Sequence, residues 1–408
     1  MRLPLILLLL TLAACRERYG LPLEAAKNNL LVVEGNILNG DTTRIRLSRT
    51  SPIAERKLVA ESGASLQIEG DDNSVIPLVE SQTEPGTYTS PPLTLNNSRQ
   101  YRLRIYSGDE EYESDWLTVV NTAPIDSVFW QRDERDNGVE ISVAGHGSDA
   151  DSRYYKWDYD EVWEFHAKYE CTAYFTYVLM PNGTKEYRCL DVTHDGVTYN
   201  TCLEPWYYPP NGQRNDSMYT CWKYQTSHNI NIGSAASLSN NSIVKPIRKI
   251  ELDSWELSWL YSIAVKQTGL SKEGYDFYRI LEGNSESLGT IFDAQPSEMK
   301  TNLRCVTNPA ETVIGFVDAT TVQTKRLFIG FREVPDWTKV DVYYSGCTDT
   351  LQKRFMTYEE QVERKLVPTL TNVSMGPPPY RIGLAGLTYP YCADCTMRGE
   401  HRRPDFWP

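Results

Sequence analysis

The sequence is poor in histidine, in positive charge and in long apolar runs, and each shortage removes a class of function. Of 408 residues five are histidine, and no two of His146, His166, His194, His228 and His401 form an HExxH or His-x-His pair. A helical zinc hydrolase needs such spacing, because residues four apart share one helix face. Lys and Arg number 41 against 54 Asp and Glu, giving a net charge of −13. A chain that acidic has no general attraction for nucleic acid or for an anionic membrane surface. One apolar run exists, from Leu3 to Ala14 with Thr11 inside it. It falls short of the about 20 residues that a membrane-spanning helix needs, which excludes helical channels and transporters. The nucleophile elbow Gly-x-Ser-x-Gly is missing. Gly145-His146-Gly147 leads into Ser-Asp-Ala-Asp rather than into a helix, so it reads as a turn and not as a phosphate cradle. Asp149-Ala150-Asp151 with Asp191 lacks the glycine and closing glutamate of a calcium loop. No metal or cofactor is therefore expected.

What is present begins at the amino terminus. Met1-Arg2 is a short positive region, Leu3 to Leu10 an apolar core, and Ala13-Ala14 a small-residue cleavage site, as in a secretory signal. Leu12-Ala13-Ala14-Cys15 matches a bacterial lipobox, in which the cysteine is acylated and becomes the new amino terminus. Residues 1–14 are read as signal, Cys15 as the lipid attachment point, and 15–26 as a lipidated tether. Two or more acyl chains anchor a protein stably where one does not.

Eight further cysteines follow: Cys171, Cys189, Cys202, Cys221, Cys305, Cys347, Cys392 and Cys395. An even number in an exported chain reads as a disulfide framework whose connectivity the sequence leaves open. Loop-closure reasoning favours pairing inside two groups, 171–221 and 305–395. Cys392-Ala-Asp-Cys395 has neither the strand and helix of a redox motif around it nor a second pair for zinc.

At roughly 150 residues per domain the length suggests two or three domains. Thr43 to Ser48, Ser65 to Glu69 and Tyr101 to Tyr106 alternate apolar and polar residues, and turn signals such as Asn39-Gly40-Asp41 separate them. This spacing predicts a mainly β protein, with an immunoglobulin- or fibronectin-like sandwich over 27–120. Asn121-Thr122-Ala123-Pro124 marks the boundary, and a larger β-rich, disulfide-containing domain spans 124–408. A helical segment is expected within 254–282, capped by Ser271 and closed at Gly283-Asn284.

In Tyr155 to Phe165 the odd positions are aromatic except Glu161, while Lys156, Asp158, Asp160 and Glu164 share the other face. Carboxylates two apart on a strand lie about 7 Å from each other, within the about 5–9 Å that glycoside hydrolysis uses. A surface glycan hydrolase built on Asp158, Asp160 or Glu164 is thus one reading; a solvated polar face is the other. Tyr155, Trp157, Tyr159 and Trp163 are either sandwich core or a surface that binds glycan or peptide. The tail Arg402-Arg403-Pro404-Asp405-Phe406-Trp407-Pro408 either docks its aromatic pair on the fold or inserts it into a partner.

Several blocks together resemble the Bacteroidota outer-membrane lipoproteins of the domain-of-unknown-function 4249 (DUF4249) family. They are Leu31-Val32-Val33-Glu34-Gly35, Ile45 to Thr50, Tyr101 to Ile105, Tyr112 to Asp115 and Pro124 to Val128. Gly289 to Ser297 and Asn308 to Gly315 resemble its central block, and Cys392 to Cys395 with Arg403 to Trp407 its closing signature. The resemblance implies an envelope lipoprotein encoded beside TonB-dependent receptors, with no enzymatic activity and no catalytic residues. Arg16-Glu17-Arg18 departs from the acidic run that surface-exported lipoproteins often carry after the lipidated cysteine. The expectation is a lipid-anchored outer-membrane protein on the extracellular rather than the periplasmic face. It is a non-catalytic accessory or ligand-capturing partner of a TonB-dependent β-barrel receptor; an adhesion or scaffold protein is the alternative beside the hydrolase.

Overall fold

The computed structural model describes residues 29–51, 59–148, 151–169, 175–181, 183–189, 191–194, 197–200, 219–238, 241–286, 299–339, 347, 363–364, 366–369 and 386–408. The signal and tether, residues 1–26, lie outside them, as do Cys15, Cys171, Cys202 and the block 289–297. The protein is mainly β and divides into two compact units. One comprises Met1–Val119 with Glu298–Ala319, the other Val120–Ser297 with Thr320–Pro408. Residues 298–319, assigned by the sequence to the larger domain, therefore belong to the first unit. Their strands, Leu303–Cys305 and Ile314–Gly315, are too short for alternation to show.

The first unit is built from β1 (Leu31–Glu34), β2 (Thr42–Arg49), β3 (Ser65–Gly70), β4 (Val75–Glu80), β5 (Thr87–Pro92), β6 (Gln100–Ser107), β7 (Glu110–Ser114) and β8 (Leu117–Val120). The hydrogen-bonded order is β8-β6-β3-β4-β5-β2-β1, with β7 on β6. Strand β4 belongs to two layers, pairing Leu78 with Leu66 of β3 and Val79 with Thr89 of β5. Alternate residues of both layers, Leu31, Val33, Ile45 and Leu47 from one and Leu66, Ile68, Leu103 and Ile105 from the other, meet in one buried core. Period-two placement of β-branched and leucine side chains puts every one of them on the inner face. Segment 303–305 pairs with β7, and 314–315 runs parallel to β1. Gly315 sits at φ +139 against the Val33 carbonyl oxygen, where any Cβ would collide.

In the second unit, β9 (Ile125–Arg132), β10 (Val139–His146) and β14 (Ser242–Ile250) form a three-stranded sheet in that order. A five-stranded sheet runs β12 (Thr220–Thr226), β11 (Tyr154–His166), β15 (Leu260–Leu270), β16 (Val322–Gly330), with β13 (Asn231–Ser234) also on β11. Ile141, Val143 and Ile250 of the first sheet pack with Tyr155, Trp157, Trp163, Ile263 and Val265 of the second.

The helical expectation over 254–282 is corrected here. Residues 260–270 are a strand, and α1 is Lys272–Glu286, running past Gly283-Asn284. Leu260 to Leu270 is buried on nearly every residue, because β15 lies between two neighbouring strands and is covered on both faces. A short segment buried on both faces is not told from a buried helix by periodicity alone. The cap is as expected: the Ser271 hydroxyl accepts from the Gly274 amide at 3.0 Å.

Candidate functional site

The aromatic face of β11 is core. Tyr155, Trp157, Tyr159 and Trp163 are all buried, with Trp157 at 0% exposure, so they present no binding surface. Alternation turned their rings inward against the three-stranded sheet, where apolar area buries most effectively. Trp157 Nε1 donates to Gln267 Oε1 at 2.8 Å, and Gln267 Nε2 donates to the Ala123 carbonyl, so this indole N–H is satisfied inside. Glu161, the one charge among these positions, is buried and bound to Arg248 at 2.7 Å and to the Tyr261 hydroxyl. Arg248 also reaches Glu256 at 2.8 Å, whose carboxyl burial pushes up from its ordinary value.

The opposite face carries the three carboxylates singled out as a hydrolytic set, and each has its own partners. Asp158 pairs with Lys156 two residues back, Asp160 with Lys266 at 2.7 Å and with the Thr226 hydroxyl. Glu164 takes His166 Nε2 at 2.8 Å and Trp407 Nε1 at 3.3 Å. The three are strung along one strand, and no two share a partner in these pairs. Between them Val162 is buried by Trp222 and Trp407, with Leu260 and Phe328 packed alongside.

Trp407 reaches that position because the chain returns across the sheet. Cys395 is bonded to Cys221 on β12, and Trp222 exchanges backbone hydrogen bonds with Glu400 at 2.8 and 2.9 Å. The tail thus adds a short bridge at the edge of the five-stranded sheet. Gly399 permits it: a Cβ there would lie 2.5 Å from the Trp222 carbonyl oxygen and 2.7 Å from the Phe165 ring. Arg326 stacks over Phe406 at 3.6 Å, and the edge of Trp222 meets Trp407 at 6.3 Å between ring centres. Of the two readings of the tail, docking on its own fold is the one observed.

Cys392-Ala-Asp-Cys395 is structural, since its two thiols bond different partners, Cys392 to Cys347 and Cys395 to Cys221. The Cys221–Cys395 pair crosses the two groups within which pairing was expected. Loop closure depends only weakly on length, so proximity in the fold outweighs the 174-residue separation. Cys305 is corrected as well: it is a free, buried thiol in the first unit. Its Sγ lies 3.4 Å from Glu110 Oε2 and, with Glu311, makes a set of donor atoms within 4.8 Å of one another. Arg49 lies 3.5 Å from Glu311 and supplies positive charge there itself. Cys189 ends the strand Lys185–Cys189.

A cleft of about 420 Å³ opens where the tail crosses the sheet. Glu164, Thr220, Trp222 and Leu260 line it from the strands, and His401, Arg403 and Trp407 from the tail. The Arg403 guanidinium donates to the backbone oxygens of Trp407, at 3.3 Å, and Pro408, which fixes its direction. Of these residues the sequence had named Glu164, His401, Arg403 and Trp407. Thr220, Trp222 and Leu260 carry no signal of their own, because only the crossing of the tail makes them neighbours.

Fold and cleft describe a two-unit β protein whose second unit is clasped by its own carboxyl-terminal segment. The model of a domain of unknown function, DUF4249, matches residues 16–326, and the chain belongs to that family. The closing block from Cys392 to Trp407, and with it the clasp, lies beyond the matched stretch. No curated protein sequence matches the chain. Among solved structures it is similar to the chicken interferon gamma receptor alpha chain at 10% identity, over 60% of this chain and 90% of that one. The TM-score is 0.13, a likeness too slight to carry an argument. Among the described residues no helix is long and apolar enough to cross a membrane.

Proposed function

We propose that the protein is a non-catalytic lipoprotein on the extracellular face of the outer membrane, an accessory or ligand-capturing subunit of a TonB-dependent uptake system. The observation that carries this reading is Leu12-Ala13-Ala14-Cys15 directly after a short apolar run. Acylated Cys15 would hold the two β units at the membrane, where they would contact the receptor barrel or cover its mouth. Family membership and the resemblance to envelope lipoproteins support the setting. The separate partners of Asp158, Asp160 and Glu164 along one strand support a binding rather than a hydrolytic role, since glycosidase chemistry needs an acid and a base converging on one bond.

Metabolic labelling with a fatty acid tests the anchor: the wild type takes up label and sediments with outer membrane, and Cys15→Ser does neither. Gentle detergent extraction then recovers a β-barrel with the wild type. An unlabelled wild type in the soluble fraction, or a labelled one recovered without any barrel, counts against the proposal.

A further inference from the structure

We propose that the cleft beneath the carboxyl-terminal clasp is a binding site for a neutral sugar ring. The inference rests on the ligand-capture part of the reading above and assigns it a place and a chemistry. A volume of about 420 Å³ is within the size range of small-molecule sites.

The lining combines three things such a ring requires. Trp222, Trp407 and Leu260 supply an apolar wall for the C–H face. Glu164 is an acceptor with lone pairs beyond those that His166 and Trp407 engage. Arg403 and Thr220 are donors, and Thr220 can also accept, matching hydroxyls that do both.

Charge selects the class of ligand. Glu164 and Arg403 bring charges of both signs to the lining. A ligand carboxylate entering the cleft would meet Glu164, and an ammonium would meet Arg403, so a neutral polyhydroxylated ligand is favoured over either. Both charged side chains are held before any ligand arrives, Glu164 by His166 and Trp407 and Arg403 by two backbone oxygens of the tail. That pre-orientation lowers the ordering cost of binding. The tail is therefore one wall of the site as well as a structural strap, and the Cys221–Cys395 bond fixes where that wall stands.

The test uses the full chain in mild detergent, titrated with maltose, cellobiose and lactose, and in parallel with glucuronate and glucosamine. Tryptophan fluorescence and calorimetry are the readouts. At least one neutral sugar is expected to saturate with a Kd of about 1 mM or tighter. Arg403→Gln and Thr220→Val are each expected to weaken it about tenfold, the effect of one lost hydrogen bond to a ligand in a shaped site. Unfolding midpoints are recorded for both variants, because Arg403 also steadies the tail, whereas Thr220 lies on β12. Binding of no neutral sugar, tighter binding of a charged one, or unchanged binding in Thr220→Val would overturn the assignment. Acyl labelling and barrel recovery are read on the same Arg403→Gln protein, so a failure confined to sugar binding strikes the cleft and leaves the envelope reading standing.

Discussion

Removing the Cys221–Cys395 bond probes the clasp directly. In the chain-entropy treatment, a cross-link spanning 174 residues raises stability by about 5 kcal/mol, and the 45-residue loop of Cys347–Cys392 by about 4 kcal/mol. Measured values for native bonds run at about 2–5 kcal/mol, so the absolute figures are ceilings while their order is the sharper expectation. Loosening the clasp also frees Trp407, 7% exposed in its site, to leave the sheet. Cys221→Ala/Cys395→Ala is accordingly expected to lose about 3–5 kcal/mol, and Cys347→Ala/Cys392→Ala about 1 kcal/mol less. The paired substitutions leave no odd thiol behind. Denaturant unfolding followed by tryptophan emission is the assay, because every tryptophan except Trp116 lies in the second unit. A loss under about 1 kcal/mol for the first pair, or the reverse order, would refute the clasp as a stabilising element.

Three further outcomes are expected. Arg248→Ala leaves Glu161 buried without its cation and costs about 3–5 kcal/mol by the same assay; a near-neutral variant would show that the pair is not desolvated. Gly399→Ala drives a methyl group into the Trp222 carbonyl and the Phe165 ring, costing about 1–3 kcal/mol and exposing residues after 399 to limited proteolysis; a wild-type digestion pattern would contradict it. Burial pushes the Tyr155 hydroxyl up to about 12 from an ordinary 10. The folded state thus holds a proton that the unfolded state releases, and this contribution, complete below pH 10, is lost as pH rises towards 12. Tyr155→Phe should flatten that alkaline limb, as followed by tyrosinate absorbance, and an unchanged limb would count against the burial.

Much of the sandwich was legible because its strands bury one face. Thr42–Arg49 and Gln100–Ser107 alternate as half-buried strands must, and each falls where period two put it. The same rule located β11 and left its aromatic face undecided, since periodicity reports which residues share a face and not what covers it. Strand β15 escaped because burial on both faces erases the period. The candidate cleft was legible only in part. Glu164 stood out as a charge, but its neighbours come from β12, β15 and the last residues of the chain, and their meeting depends on a cross-link between groups of cysteines that spacing would keep apart.

The route of the chain through the first unit has a consequence for how this protein is made. The segments at 303–305 and 314–315 complete a sheet whose other members, apart from 319–320, were all synthesised before residue 121. During synthesis the amino-terminal half must wait, its β1 and β7 edges open, until some 180 intervening residues have been delivered. Open strand edges invite pairing with foreign chains, so the period before the late strands arrive is when a holding chaperone would matter most. A gene truncated after residue 120 would leave that vulnerability permanent.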